Sequence, residues 1–129
     1  MARTLPLIAA GRTYAEALAS AEEMVRGDGY GTDLQRAAVP VLAAAAVLAH
    51  RQGLTNASLR VRLLGGDGGP DALMTSDGDD DVVAAAAVLR RFLAGTDLDT
   101  SARRNVILTE AAALLVREPT LRRQARSKP

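Results

Sequence analysis

The run AAAAVL at residues 43–48 occurs again, letter for letter, at residues 84–89. Side chains this small constrain a fold strongly. They fill little volume, so helices built from them must approach closely or leave voids. The rest of the chain does not supply bulk elsewhere. Among 129 residues there are two Tyr, one Phe and no Trp, although 48% are hydrophobic. The core therefore has to be made from Ala, Leu and Val.

The stretches VLAAAAVLA and VVAAAAVLRRFLAG are apolar nearly all round, the pattern of buried helices. A third small-residue run, EAAALLV at residues 110–116, can join them. Alanine columns bring helix axes toward the lower end of the usual ~8–10 Å separation. The expected fold is mainly all-α, a compact Ala/Leu/Val-rich bundle of four to five helices in a single domain over residues 1–129. Alanine is also the strongest helix former, so propensity alone favours the same elements.

Punctuation along the chain predicts the boundaries. Thr13 caps a helix over 14–26, with Glu16 in its first turn and Ala17, Leu18, Ala21, Met24 and Val25 as its apolar stripe. The glycines of GDGYG at 27–31 stop it. Thr32 or Asp33 starts a second helix to Gln52, with Gly53 at its end and a kink or fresh start at Pro40. Residues 54–64 fit two forms. They make a short helix capped by Thr55 or Asn56, or the first strand of a β-hairpin over 58–76, since Leu59, Val61 and Leu63 alternate with Arg60 and Arg62. A Gly/Asp-rich acidic loop occupies 65–81. The second AAAAVL helix starts at Asp79–Asp81 and stops near Gly95. Asp99 or Thr100 caps a last helix to about Arg117, which Pro119 ends. A basic tail at 119–129 adds at most one turn before fraying.

GTDL also occurs twice, at 31–34 and 95–98. In each copy Gly suits a left-handed stop, Thr or Asp a cap, and Leu a return to the core. The two AAAAVL runs lie 41 residues apart and the two GTDL runs 64 apart. Unequal offsets argue against a tandem duplication.

Charge and chemistry narrow the function. The net charge is +1, and the six Asp between residues 65 and 81 separate two mildly basic arms. Absence of cysteine removes disulfides, thiolate catalysis and cysteine-based metal sites. The start MARTLPLIAAG is too short and too weakly patterned for a secretory signal. The longest apolar stretch, residues 37–49, falls below the ~20 residues of a membrane span. A cytoplasmic protein with no membrane contact is the expectation.

No catalytic residue, metal ligand or cofactor site is expected. SDGDDD at 76–81 has Asp77, Asp79 and Asp81 at alternate positions, but Val82 and Val88 stand where a calcium loop needs glycine and a bidentate acid. It reads as a solvated loop whose last acids meet a helix N-terminus. GGDGGP at 65–70 lacks the Lys-Ser/Thr of a phosphate loop. His50, the lone histidine, suits the C-terminal end of its helix. Glu22 and Glu23 are sequence neighbours and read as solvated charges.

An enzyme, with no cysteine, one unsupported histidine and no motif, is the least favoured of three functional classes, ahead of which stand two others. One is a non-catalytic protein–protein interaction or assembly module, self-associating as a homodimer, because a small Ala-rich core gains stability from partnering. The other is a DNA-binding regulator. Residues 45–64 match a generic helix-turn-helix: Ala49, then Gly53 in the turn, Leu54, and a polar start at Thr55–Ser58. Leu59 and Leu63 would be buried, leaving Arg51, Arg60 and Arg62, with Arg122 and Arg123 of the tail, to contact nucleic acid.

Overall fold

A computed structural model describes residues 5–27, 32–75 and 78–127. They form five α-helices: α1 (Tyr14–Gly27), α2 (Asp33–Gln52), α3 (Asn56–Leu63), α4 (Asp80–Leu93) and α5 (Leu98–Ser127). Single 3-10 turns lie at Ala9–Arg12 and Pro70–Leu73. The described residues contain no strand. The fold is thus the all-α bundle expected. Its hairpin alternative over 58–76 gives way to α3 and the Pro70–Leu73 turn, while Ser76 lies outside the described residues. Helix wins there because Thr55 caps it, accepting from the Ser58 N–H at 3.1 Å, and because Leu59 and Leu63, one turn apart, are both fully buried.

The two AAAAVL runs meet different fates. In α2 every residue from Val41 to Ala49 is buried, so this helix is the axle of the bundle. α1, α4, α5 and the Ala9–Arg12 turn all pack on it. Small side chains permit this crowding. A Cβ placed on Gly11 would stand 2.4 Å from the Ala46 carbonyl oxygen. In α4 only Val82, Ala85, Ala86 and Leu89 are buried. Val83, Ala84 and Ala87 face solvent. The expectation of two fully buried alanine helices is corrected for the second. α4 packs chiefly on α2, whereas α1, α2 and α3 all pack on α5. A period-3.6 pattern cannot choose a face where both faces are apolar.

Helix ends follow local chemistry closely. Thr13 Oγ1 accepts from the Glu16 N–H at 3.1 Å, as the sequence predicts. Thr32 and Gln35 form a capping box, with Gln35 N–H to Thr32 Oγ1 at 3.2 Å and Thr32 N–H to Gln35 Oε1 at 2.8 Å. Gly53 ends α2 in the left-handed region at φ 69°, and the Leu54 N–H reaches back to the Ala49 carbonyl at 3.0 Å. Pro40 sits exposed inside α2 without ending it.

The second GTDL copy meets expectation in part. Its Asp97 caps α5, as the motif requires, in place of Asp99 or Thr100. Its carboxylate accepts from the Thr100 N–H at 3.0 Å and the Thr100 hydroxyl at 2.6 Å. Gly95 has no positive φ, and Leu98 stays 84% exposed. The Arg104 guanidinium takes the C-capping role, donating to the Leu93 carbonyl at 3.1 Å and the Gly95 carbonyl at 2.6 Å.

The Thr100 hydrogen bonds hold the Asp97 carboxyl below its ordinary value of 3.8. A depressed acid contributes its stabilisation above the ordinary value and loses it as pH falls through the lowered one. Acidification from about pH 4 downward is therefore expected to fray the first turn of α5 before the bundle melts. NMR titration checks this: the Thr100 amide shift should follow the Asp97 carboxyl. A Thr100 amide that ignores the titration would refute the cap.

The last helix contradicts the expected stop. α5 passes through Pro119 and continues to Ser127, so most of the supposed tail is helix. Residues 128–129 lie outside the described residues. Tertiary contacts override the proline: Leu121 and Arg122 are buried. A Cβ on Gly27 would fall 2.0 Å from the Leu121 carbonyl oxygen, which shows how tightly α1 and α5 meet there.

Candidate functional site

Three places on the molecule concentrate polar or unpartnered groups. The first is buried. Glu118 Oε2 accepts the Leu7 N–H at 2.7 Å, Arg122 Nε at 2.9 Å and Arg122 Nη2 at 2.6 Å. Its other oxygen accepts from Asn56 Nδ2 at 2.6 Å. Arg122 also donates to the Ser20 hydroxyl, which in turn donates to the Leu5 carbonyl at 2.7 Å. Glu23 Oε1 lies 3.6 Å from Arg122 Nη1. The network joins the N-terminal segment, α1, α3 and α5. Its buried polar side-chain atoms are all satisfied among the described residues. Glu118 and Arg122 stand one turn apart, so the pair ties together the turn that contains Pro119. Glu23, expected to be a solvated charge, is part of this node, with its side chain 16% exposed.

The second place is the α2–α3 hairpin. Helix, glycine turn and helix form as the motif requires, with Leu59 and Leu63 buried. The cations assigned to nucleic acid are distributed less favourably. Arg51 donates to the Arg12 carbonyl at 3.0 Å and pairs with Asp79 at 2.9 Å. Arg62 donates to Gln52 and to the Ala72 carbonyl, both at 3.3 Å. Arg122 is buried, which removes it from any phosphate-contacting surface. Arg60 and Arg123 are exposed on different helices. The structure does not gather these five residues into one basic face. His50 also works locally: its Nδ1 donates to the Ile8 carbonyl at 2.9 Å, fastening the N-terminal segment to α2.

The third place is the outer face of α4. Asp80, Val83, Ala84, Ala87, Arg90 and Arg91 are all exposed, and Val83 is 56% exposed. At 100° per residue these positions share one side of the helix, opposite Val82, Ala85, Ala86 and Leu89. Neighbouring Asp residues are engaged elsewhere. Asp79 caps α4 through the Val82 N–H at 3.1 Å, and Asp81 accepts the Tyr14 N–H at 2.9 Å. The last acids of 76–81 thus meet a helix N-terminus as expected. Ser76 and Asp77 lie outside the described residues.

One concave region has some of its polar groups engaged within the chain. A groove of about 320 Å³ runs between the end of α3 and the start of α5, lined by Leu63, Leu93, Leu108, Arg104, Asn105 and Thr109. Its guanidinium is already used as the α4 cap, and the Thr109 hydroxyl donates to the Asn105 carbonyl at 2.8 Å. Among the described residues no three His, Cys, Asp or Glu come together to hold a metal ion. No described helix is long and apolar enough to cross a membrane.

Sequence reasoning missed both the buried node and the α4 face. The first had a signal: Glu118 and Arg122 share the i,i+4 spacing of a helical ion pair. The second had a partial one: an acid begins and two bases end a helix whose middle is apolar on every side. No protein-family model, curated protein or solved structure matches this chain.

Proposed function

We propose that this chain is a non-catalytic helical protein–protein interaction module that associates with itself, in a cytoplasmic setting. The observation that carries the reading is the apolar middle of the α4 outer face, where Val83, Ala84 and Ala87 stand exposed on a helix anchored mainly by α2. An exposed apolar strip along a helix, rimmed by charged residues, is a surface that a partner can cover. Many polar groups elsewhere serve the fold, as caps, staples and the Glu118–Arg122 node. The DNA-binding reading draws less support, since Arg51, Arg62 and Arg122 are engaged within the chain.

Light scattering tests the proposal directly. The mass should approach twice 13.5 kDa at high protein concentration and fall toward 13.5 kDa on dilution. The melting temperature should rise with concentration, because association stabilises the folded state by mass action. A constant 13.5 kDa at every concentration would overturn self-association.

A further inference from the structure

We propose that α4 pairs antiparallel with α4 of a second copy about a two-fold axis, so that Asp80 of each copy meets Arg91 of the other. This rests on the self-association reading and specifies its geometry. The side chains of Asp80, Arg90 and Arg91 are exposed and make no hydrogen bond or ion pair among the described residues. They flank the exposed Val83, Ala84 and Ala87 in the order acid, apolar, base.

That order selects the occupant. Two copies aligned in parallel would bring acid to acid and base to base. Turned antiparallel, they bring Asp80 opposite a base at both ends, and a two-fold axis makes the two contacts identical. With the axis level with the Ala85–Ala86 peptide, Asp80 faces Arg91 and Ala84 faces Ala87, and Val83 of each copy flanks that alanine contact. Alanine at the crossing lets the helix axes come to about 8 Å. Asp80 and Arg91 are eleven residues apart, roughly 16 Å along the helix, so the two ion pairs bracket the apolar contact. An unrelated partner would need no self-complementary order of charge. One helix pair buries less than a standard interface, so the dimer is weak, in the micromolar range or above.

Sedimentation equilibrium of the full chain, with circular dichroism to check folding, decides it. Asp80→Arg and Arg91→Asp should each weaken the dimer about tenfold or more, since each sets like charges face to face twice. The combined variant Asp80→Arg/Arg91→Asp restores opposite charges across the axis and should return to within about threefold of the native dissociation constant. A combined variant as weak as the singles would overturn the antiparallel register, as would singles that leave the dimer intact. In either case the native dimer still stands and the self-association reading survives. A native chain that stays monomeric defeats that reading itself.

The absence of cysteine supplies an independent measurement. An equimolar mixture of Ala84→Cys and Ala87→Cys chains should oxidise to a covalent dimer faster than either chain alone. Equal rates would count against the register.

Discussion

Arg122→Met is expected to lower the unfolding free energy by about 3–5 kcal/mol, because it breaks a buried ion pair from one side. Native stability for a domain lies at about 5–15 kcal/mol, so this is a large fraction of the whole. The melting temperature should fall by roughly 10–20 °C. The damage comes from what remains. Glu118 is 4% exposed and keeps its hydrogen bonds from Leu7 and Asn56, but it loses the Arg122 cation. Glu23 loses the same neighbour. Arg123→Met, one residue on and exposed, should stay within about 0.5 kcal/mol of the native chain. The double variant Glu118→Leu/Arg122→Met should recover part of the loss, since the buried Glu118 charge is then no longer stranded. Recovery stays incomplete because the Leu7 N–H and the Asn56 amide lose their acceptor, at about 1–3 kcal/mol for a buried group. Urea unfolding of the four chains measures all of this. Equal midpoints for Arg122→Met and Arg123→Met would show that the node does not support the fold.

The same node explains what could and could not be read along the chain. Caps at Thr13, Thr32, Thr55 and Asp79, and the stop at Gly53, were legible because each depends on residues within four positions of itself. The helical class followed from periodicity and alanine content. The end of the last helix did not, because Pro119 is a strong local signal and its override is not local. Glu118 is held by a backbone N–H 111 residues away, and Arg122 by a hydroxyl 102 residues away. Nothing near Pro119 announces those partners. Composition likewise treated the two AAAAVL runs alike. Their difference, one enclosed and one half exposed, lies in how many other helices reach each run. For the cations, sequence showed the charge but not the carbonyls and carboxylates that take up Arg51, Arg62 and Arg122.

Gly27→Ala sets a helix-forming gain against a steric loss, and the steric term should win. Alanine is favoured over glycine by about 0.8–1.0 kcal/mol in a helix interior, and by less at Gly27, the last residue of α1. Against this, the added Cβ would lie 2.0 Å from the Leu121 carbonyl oxygen and 2.8 Å from its carbonyl carbon. Both are backbone atoms of a helix, so no rotamer change relieves the clash. Over-packing costs about 1–3 kcal/mol and sometimes more. The expected net loss is about 1–2 kcal/mol, with α1 pushed away from α5 and the Ser20–Arg122 contact stretched. Hydrogen exchange should therefore quicken in residues 118–125 before it does in α2. Gly53→Ala makes the instructive comparison, because its space is open but its φ is 69°. It should cost about 1–2 kcal/mol for conformation alone. Asparagine separates the two causes. It tolerates the left-handed region, so Gly53→Asn should recover much of that loss. Gly27→Asn should be worse than Gly27→Ala, since a larger side chain meets the same backbone. If Gly27→Ala instead raised the melting temperature, helix propensity would have prevailed and the close α1–α5 approach would be wrong.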